Sequence, residues 1–531
     1  MERVAQSYGQ HSRAALKLGL PLIASNLAQF AIHITDTVML GWYDVTALAA
    51  VTLATTAFFV TFIVGAGFAM AVTPLVAAAE EEGDDTQVRR ITRMGLWLSV
   101  IYGVVFTIPF FWAEPILLAT GQTETIAALA AVTLATTAFF VTFIVGAGFA
   151  MAVTPLVAAA EEEGDDTQVR RITRMGLWLS VIYGVVFTIP FFWAEPILLA
   201  TGQTETIAAL AHDYLVIACL GMVPALLVMT LKSYLAALEH TGIILWGTVA
   251  AAVMNAFVNY ALIFGNWGAP ELGIKGAAIA SVLLQVVTVG ILLVYALKKL
   301  PQHQLTRNIL KSDWEVFGRV FRLGWPIGLT SLAEGGLFSV SAFLMGWIGE
   351  LELAAHGIAI QLASLTFMVH IGLSQAATVR AGRAVGRKDQ EQLRKGGIAI
   401  IGLSAVFALF TVALFLIVPE VLISLFIDPD EPLKGELIRI GVVLLALAAL
   451  FQVVDAAQVM ALGLLRGVQD TAVPMGMAVV SYWIIGVPVS YYLAFVVGLD
   501  EVGLWLGLVV GLAVAAVLLM ARFWTKSVHI E

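Results

Sequence analysis

The chain has almost no cysteine. Cys219 stands alone among 531 residues, within an apolar run, which excludes a disulfide framework and a cysteine-held metal. Charge is scarce too: Asp, Glu, Lys and Arg supply 12% of the residues, against about 25% in an average soluble domain. With 60% hydrophobic residues, that deficit excludes a soluble globular protein and leaves one that crosses a membrane many times. There is no phosphate-cradling glycine loop, no serine-nucleophile motif and no His/Cys/acid spacing that suggests a zinc site. An enzyme is therefore not expected, nor a cofactor, nor energy from nucleotide hydrolysis within this chain, nor a nucleic-acid partner. The net charge of −9 says little, because charge in a membrane protein matters by side rather than by sum. The polar start MERVAQSYGQHSRAALK leads into an apolar run too long for a signal peptide, so no cleavage is expected.

What is present is repetition, of two kinds. The stretch 18–50, LGLPLIASNLAQFAIHITDTVMLGWYDVTALAA, returns in diverged form as 323–355, LGWPIGLTSLAEGGLFSVSAFLMGWIGELELAA. Leu18/Leu323, Gly19/Gly324, Pro21/Pro326, Gly41/Gly346 and Trp42/Trp347 match without a gap, and the same offset relates later pairs such as Gly67/Gly372, Thr73/Thr378 and Arg89/Arg394. Two halves in the same order and orientation imply a pseudo-twofold axis along the membrane normal. The second repeat is literal: residues 47–130 recur letter for letter at 128–211. An old duplication drifts, so this one reads as a recent or engineered tandem copy inserted into an ordinary chain.

Fourteen spans are expected, roughly 16–41, 47–79, 91–119, 128–160, 172–200, 210–236, 242–266, 273–297, 322–348, 351–380, 396–427, 436–463, 472–497 and 502–524. The fold class is an all-α integral membrane protein: two six-helix lobes, with twelve native spans, plus two spans from the copied hairpin. An N-lobe over 1–297 and a C-lobe over 322–531 are joined by a polar linker, 298–321, in which a short surface helix is expected. Arg and Lys fall on one side if the spans alternate, at 3–17, 89–93, 170–174, 298–322, 380–395 and 522–526, with Lys275, Lys434 and Arg439 as exceptions. Both termini are then cytoplasmic.

Ionisable groups within hydrocarbon cost several kcal/mol and usually face a bundle interior or a wet cavity. Asp36 shares a helical face with Gln29 and His33, although a position six residues before Trp42 also allows it to snorkel to the outer surface. Glu334 lies deeper in its span, near Ser331, Ser339 and Ser341, and Asp455 has Gln452 and Gln458 three residues to either side. A desolvated carboxylate takes up H⁺, or holds Na⁺ with amide and carbonyl oxygens as partners. Blander readings remain: a permanently protonated Glu334 bonded to backbone, and a helix-to-helix hydrogen-bond cluster around Asp455. Asn255 and Asn259, one turn apart, can bond substrate or Asp36, or serve as packing amides. Gln361, His370 and Gln375 are further candidates for cavity lining. His370 reads more simply as a satisfied packing residue, and His356 as structural.

These pieces resemble the multidrug and toxic compound extrusion (MATE) family, in its NorM-like bacterial branch. The resemblance rests on LGLPLIASNLAQ…DTVMLGW, MNAFVNYALIFGNWGAPELGIKGAAIAS, FRLGWPIGLTSLAEGGLF, LAAHGIAIQLASLTFMVHIGLSQAATVRAGRAVG, DAAQVMALGLLRGVQDT and SYWIIGVPVSYYLA. It implies a monomeric antiporter of the bacterial inner membrane, exchanging cationic or amphipathic drugs for Na⁺ or H⁺ by alternating access. It further implies a cation site at Glu334 and Asp455, which would be the metal ligands if Na⁺ is the coupling ion, and an N-lobe site at Asp36, Asn255 and Asn259. The literal copy departs from the family's twelve spans. Two alternatives stay open: a lipid-linked precursor flippase of the same superfamily, and an engineered duplication for probing membrane topology with impaired transport.

Overall fold

In a lipid interior each backbone N–H and C=O must find its partner within the segment, so long apolar runs become helices. The structure, a computed structural model, describes residues 7–43, 124–188, 216–217, 219–305, 313–427 and 433–529. The expected spans 47–79 and 91–119 lie outside the described residues. Within them the long elements are α1 (Tyr8–Tyr43), α2 (Glu124–Glu162), α3 (Asp166–Thr188), α4 (Met222–Ala237), α5 (Thr241–Phe264), α6 (Gly273–Lys299), α7 (Trp314–Ile348), α8 (Glu350–Gly386) and α9 (Gln390–Ile417). They are followed by the short α10 (Pro419–Ser424), α11 (Lys434–Gly467), α12 (Ala472–Val496) and α13 (Asp500–Ser527). Among the described residues eleven helices are long and apolar enough to cross a membrane, and no strand occurs.

Two local departures from expectation have physical causes. Along the polar stretch 298–321, α6 runs to Lys299, a single helical turn covers Pro301–His303, and α7 already starts at Trp314, while residues 306–312 lie outside the described residues. Asp313 caps that start, its side chain accepting from Val316 N at 3.3 Å, so residues 314–321 are the first turns of the span itself. The helix α12 is wound more loosely over Val480–Gly486 and Tyr492–Val496, on either side of Pro488. Proline lacks the N–H that the regular ladder needs, and wider turns let its neighbours re-register.

Small residues set the closest approaches. Where α2 crosses α7, a Cβ on Gly148 would stand 2.3 Å from Gly328 N and 2.5 Å from Gly324 O, so both backbones rely on bare glycine. Across α8 and α11, Ser374 Oγ donates to Val459 O at 2.9 Å and Thr378 Oγ1 to Gly463 O at 2.9 Å. The central helix α11 packs on α8, α9 and α13, while α1 lies against α5, α8 and α9. The helices α2 and α3 come from the second copy of the literal repeat, and that copy packs on α4, α7 and α8.

Charges gather where α2, α4, α7 and α8 end. Arg383 Nη1 is 3.0 Å from both Glu162 Oε1 and Glu239 Oε1, and Arg387 Nε donates to Glu162 Oε2. Arg171 grips the Asp313 carboxylate with two nitrogens, one of them Nη2 at 3.1 Å, and Arg174 stands 3.6 Å away. The Arg171 guanidinium holds the Asp313 carboxyl below the usual carboxylate range.

Candidate cation site

The helix α11 brings Gln452, Asp455 and Gln458 into the protein interior, all at 1% exposure or less. Their spacing of three residues keeps them on one side of the helix. Opposite them, on α7, lies Glu334. Gln458 Nε2 donates to Glu334 Oε1 at 3.3 Å, and Asp455 is close enough to feel the charge on Glu334. The two acids separated by more than a hundred positions thus form one cluster. Next to it, Trp483 Nε1 donates to Ala333 O at 3.1 Å and fixes α12 against α7 one residue before the carboxylate. Glu334 is half-buried, whereas Asp455 is 1% exposed.

Several oxygens in this cluster are unused. Asp455 Oδ1, Gln458 Oε1 and the Tyr482 hydroxyl are buried without a hydrogen-bond partner among the described residues. Buried polar atoms in a native fold are nearly always partnered. Two carboxylates, an amide oxygen and a phenol are hard donors that suit Na⁺, and the same carboxylates can take up protons. Sequence reasoning missed two members, Tyr482 and Arg466, which also lie within electrostatic range of Glu334. The available signal was modest: Arg466 follows Asp455 by eleven residues, three helical turns along the same helix.

Other candidates fall elsewhere. Gln452 Nε2 donates to Ala363 O at 3.1 Å and to Thr366 Oγ1, which makes it a tie between α11 and α8. Gln361 is half-buried on α8. The hydroxyls of Ser331, Ser339 and Ser341 donate to carbonyls of their own helix rather than to Glu334. Gln375 is half-buried on α8 as well. His370 bonds Ser404 Oγ at 2.9 Å, and His356 Nδ1 accepts from Trp505 Nε1 at 3.1 Å; both rings serve packing. Asn259 Nδ2 donates to Asn255 Oδ1 at 3.1 Å within α5, leaving Asn255 Nδ2 without a partner among the described residues. Gln29 is exposed and accepts from Lys232 Nζ at 3.2 Å. His33 and Asp36 lie on α1, but their side chains fall outside the described residues.

A polytopic helical bundle with a pair of intramembrane carboxylates defines a membrane transporter more readily than a receptor or an enzyme. Comparison with known proteins names the kind. The MatE family model matches residues 21–130, 126–261 and 326–492, and the chain belongs to that family. The "Probable multidrug resistance protein NorM" of Rhizobium meliloti (strain 1021) is 43% identical over 98% of this chain and 94% of its own length. The protein of the same name in Agrobacterium fabrum (strain C58 / ATCC 33970) is 40% identical over 97% and 94%. Among solved structures, the eukaryotic MATE transporter AtDTX14 superposes with a TM-score of 0.73 at 18% identity, over 98% of this chain and 97% of that one. An outward-facing multidrug resistance MATE transporter of the MOP superfamily gives 0.69 at 17% identity, over 97% and 96%. At such identities the structures speak for the fold alone.

Proposed function

We propose that the chain is a multidrug efflux transporter of the bacterial inner membrane, exporting cationic or amphipathic compounds in exchange for Na⁺ or H⁺. The observation that carries this reading is the Glu334–Gln458–Asp455 cluster, with its unused oxygens, inside a chain of the MatE family. Cation and drug would favour opposite-facing states, each shifting the balance by its difference in affinity for the two. Glu334, the more exposed of the two acids, would meet the ion first, and the buried Asp455 would hold it. Asp36 and the Asn255–Asn259 pair would provide a second polar region in the first half. Two six-helix lobes, 1–297 and 322–531, would rock around the cavity in a monomer with both termini cytoplasmic. The letter-for-letter repeat reads as a tandem duplication whose second hairpin takes the working place; its packing on α7 and α8 supports this.

The test is export of a fluorescent cationic dye from cells lacking their own exporters. Glu334→Gln and Asp455→Asn should each abolish cation-driven export while leaving the amount of protein in the membrane unchanged. Wild-type rates in both variants would overturn the assignment. Collapsing the Na⁺ or the H⁺ gradient separately identifies the coupling ion.

A further inference from the structure

The cluster of Glu161, Asp166 and His303 lies apart from the cation site, at the polar ends of the helices. Glu161 closes the last turn of α2, Asp166 opens α3, and His303 ends the tight turn after α6. His303 is fully buried. Its Nδ1 is 2.5 Å from the Tyr234 hydroxyl, and its Nε2 has no hydrogen-bond partner among the described residues. That nitrogen instead faces Glu161 Oε2 and Asp166 Oδ1, each at 3.5 Å. One ligand atom from each of the three residues lies within 4.8 Å of the others.

We propose that Glu161, Asp166 and His303 form a site for a divalent transition-metal ion of the zinc class, with water as the fourth ligand. Zn²⁺ binds nitrogen and carboxylate oxygen at about 2.0–2.2 Å in a tetrahedron, which places neighbouring ligand atoms about 3.3–3.5 Å apart. The observed spacing from Nε2 to each oxygen is that of a tetrahedral edge, and it is too long for a hydrogen bond. The buried ring presents its unpartnered Nε2 to the space between the two carboxylates. The Tyr234 hydroxyl on Nδ1 is the outer partner that metal-bound histidines characteristically have, fixing the ring and its tautomer. Asp166 is 57% exposed at its side chain, which gives an ion a way in from water. The bound ion would pin the α2–α3 turn to the segment that connects α6 with α7.

The repeat supplies an internal control. Glu161 and Asp166 have identical counterparts at Glu80 and Asp85 in the first copy, whereas His303 occurs once. Zinc binding to the purified full-length protein, free of any affinity tag, is measured by titration calorimetry, with Mg²⁺ as comparison. The expected result is one saturable Zn²⁺ site, at least tenfold weaker in His303→Asn and in Asp166→Asn, and unchanged in Glu80→Gln. Asp166→Asn alters an exposed side chain and keeps the test readable if His303→Asn misfolds. Absence of saturable binding, wild-type affinity in both site variants, or loss of binding in Glu80→Gln would each overturn the proposal.

Discussion

On the proposed reading that two identical hairpins compete for one place in this fold, Glu162 tells them apart. In the structure its carboxylate serves two arginines at the end of α8, Arg383 at 3.0 Å and the capping Arg387. The glutamate is 11% exposed at its side chain and Arg383 18%, so the pairs belong to neither limiting case. Exposed pairs contribute about 0–1 kcal/mol, while breaking a fully buried one costs about 3–5 kcal/mol. Arg383 retains Glu239 and Arg387 retains Gln392 Oε1 when the carboxylate goes, which favours the lower part of the interval between them. Glu162→Gln should therefore destabilise by about 1–2 kcal/mol, read as a drop of a few degrees in the thermal transition of the detergent-solubilised protein. Glu81→Gln, the same substitution in the other copy, should leave the transition within error. A double-mutant cycle of Glu162→Gln with Arg383→Gln should return a coupling of about 1 kcal/mol or more, because the groups touch. An equal or larger loss from Glu81→Gln would refute the placement of the second hairpin against α8, as would a neutral Glu162→Gln.

Why the sequence leaves that choice open is physical. Identical segments have identical helix propensity, hydropathy and caps, so no local property favours 128–160 over 47–79; only the partners they reach can decide. Elsewhere the helices were legible because an apolar run in lipid has no alternative to being one. Their ends were not. The residues 314–321 read as part of a polar linker, yet α7 starts there, because Asp313 caps its first turn. The wide turns flanking Pro488 were equally hidden, since proline marks a disturbance without saying which wider winding repairs it.

The cation cluster was half legible. Glu334 and Asp455 stood out because a carboxylate amid apolar residues costs enough to need a reason. Tyr482 and Arg466 did not, since tyrosine and a near-terminal arginine are ordinary in a span. Gln452 sat next to Asp455 in the pattern but spends its amide on α8. The Glu161–Asp166–His303 cluster escaped altogether: two of its members are five residues apart and the third is more than a hundred further on. A zinc site is legible in a chain only when its ligands lie close together in sequence.

Two further perturbations test the packing and the polar rim. Asp313→Asn should flatten the acid side of the stability curve. The native carboxyl is held below its usual value of 3.8 by Arg171, so its stabilisation is present above that pH and is lost as pH falls through the lower native value. Unfolding followed from pH 6 down to pH 3 should show a shallower loss in the variant, and an unchanged slope would rule out the pairing. Gly328→Ala probes the crossing of α2 and α7. The new Cβ would stand 2.7 Å from Val145 O and 3.0 Å from Val145 Cα, atoms of backbone that cannot rotate away. Ordinary contact begins near 3.5 Å, so the two helices must part by several tenths of an ångström along their closest stretch. Overpacking of that kind costs about 1–3 kcal/mol. Ala at Gly335 provides the comparison, because open space surrounds it: a thermal transition lowered by Gly328→Ala and untouched by Gly335→Ala supports the crossing, and the reverse order would place α2 elsewhere on α7.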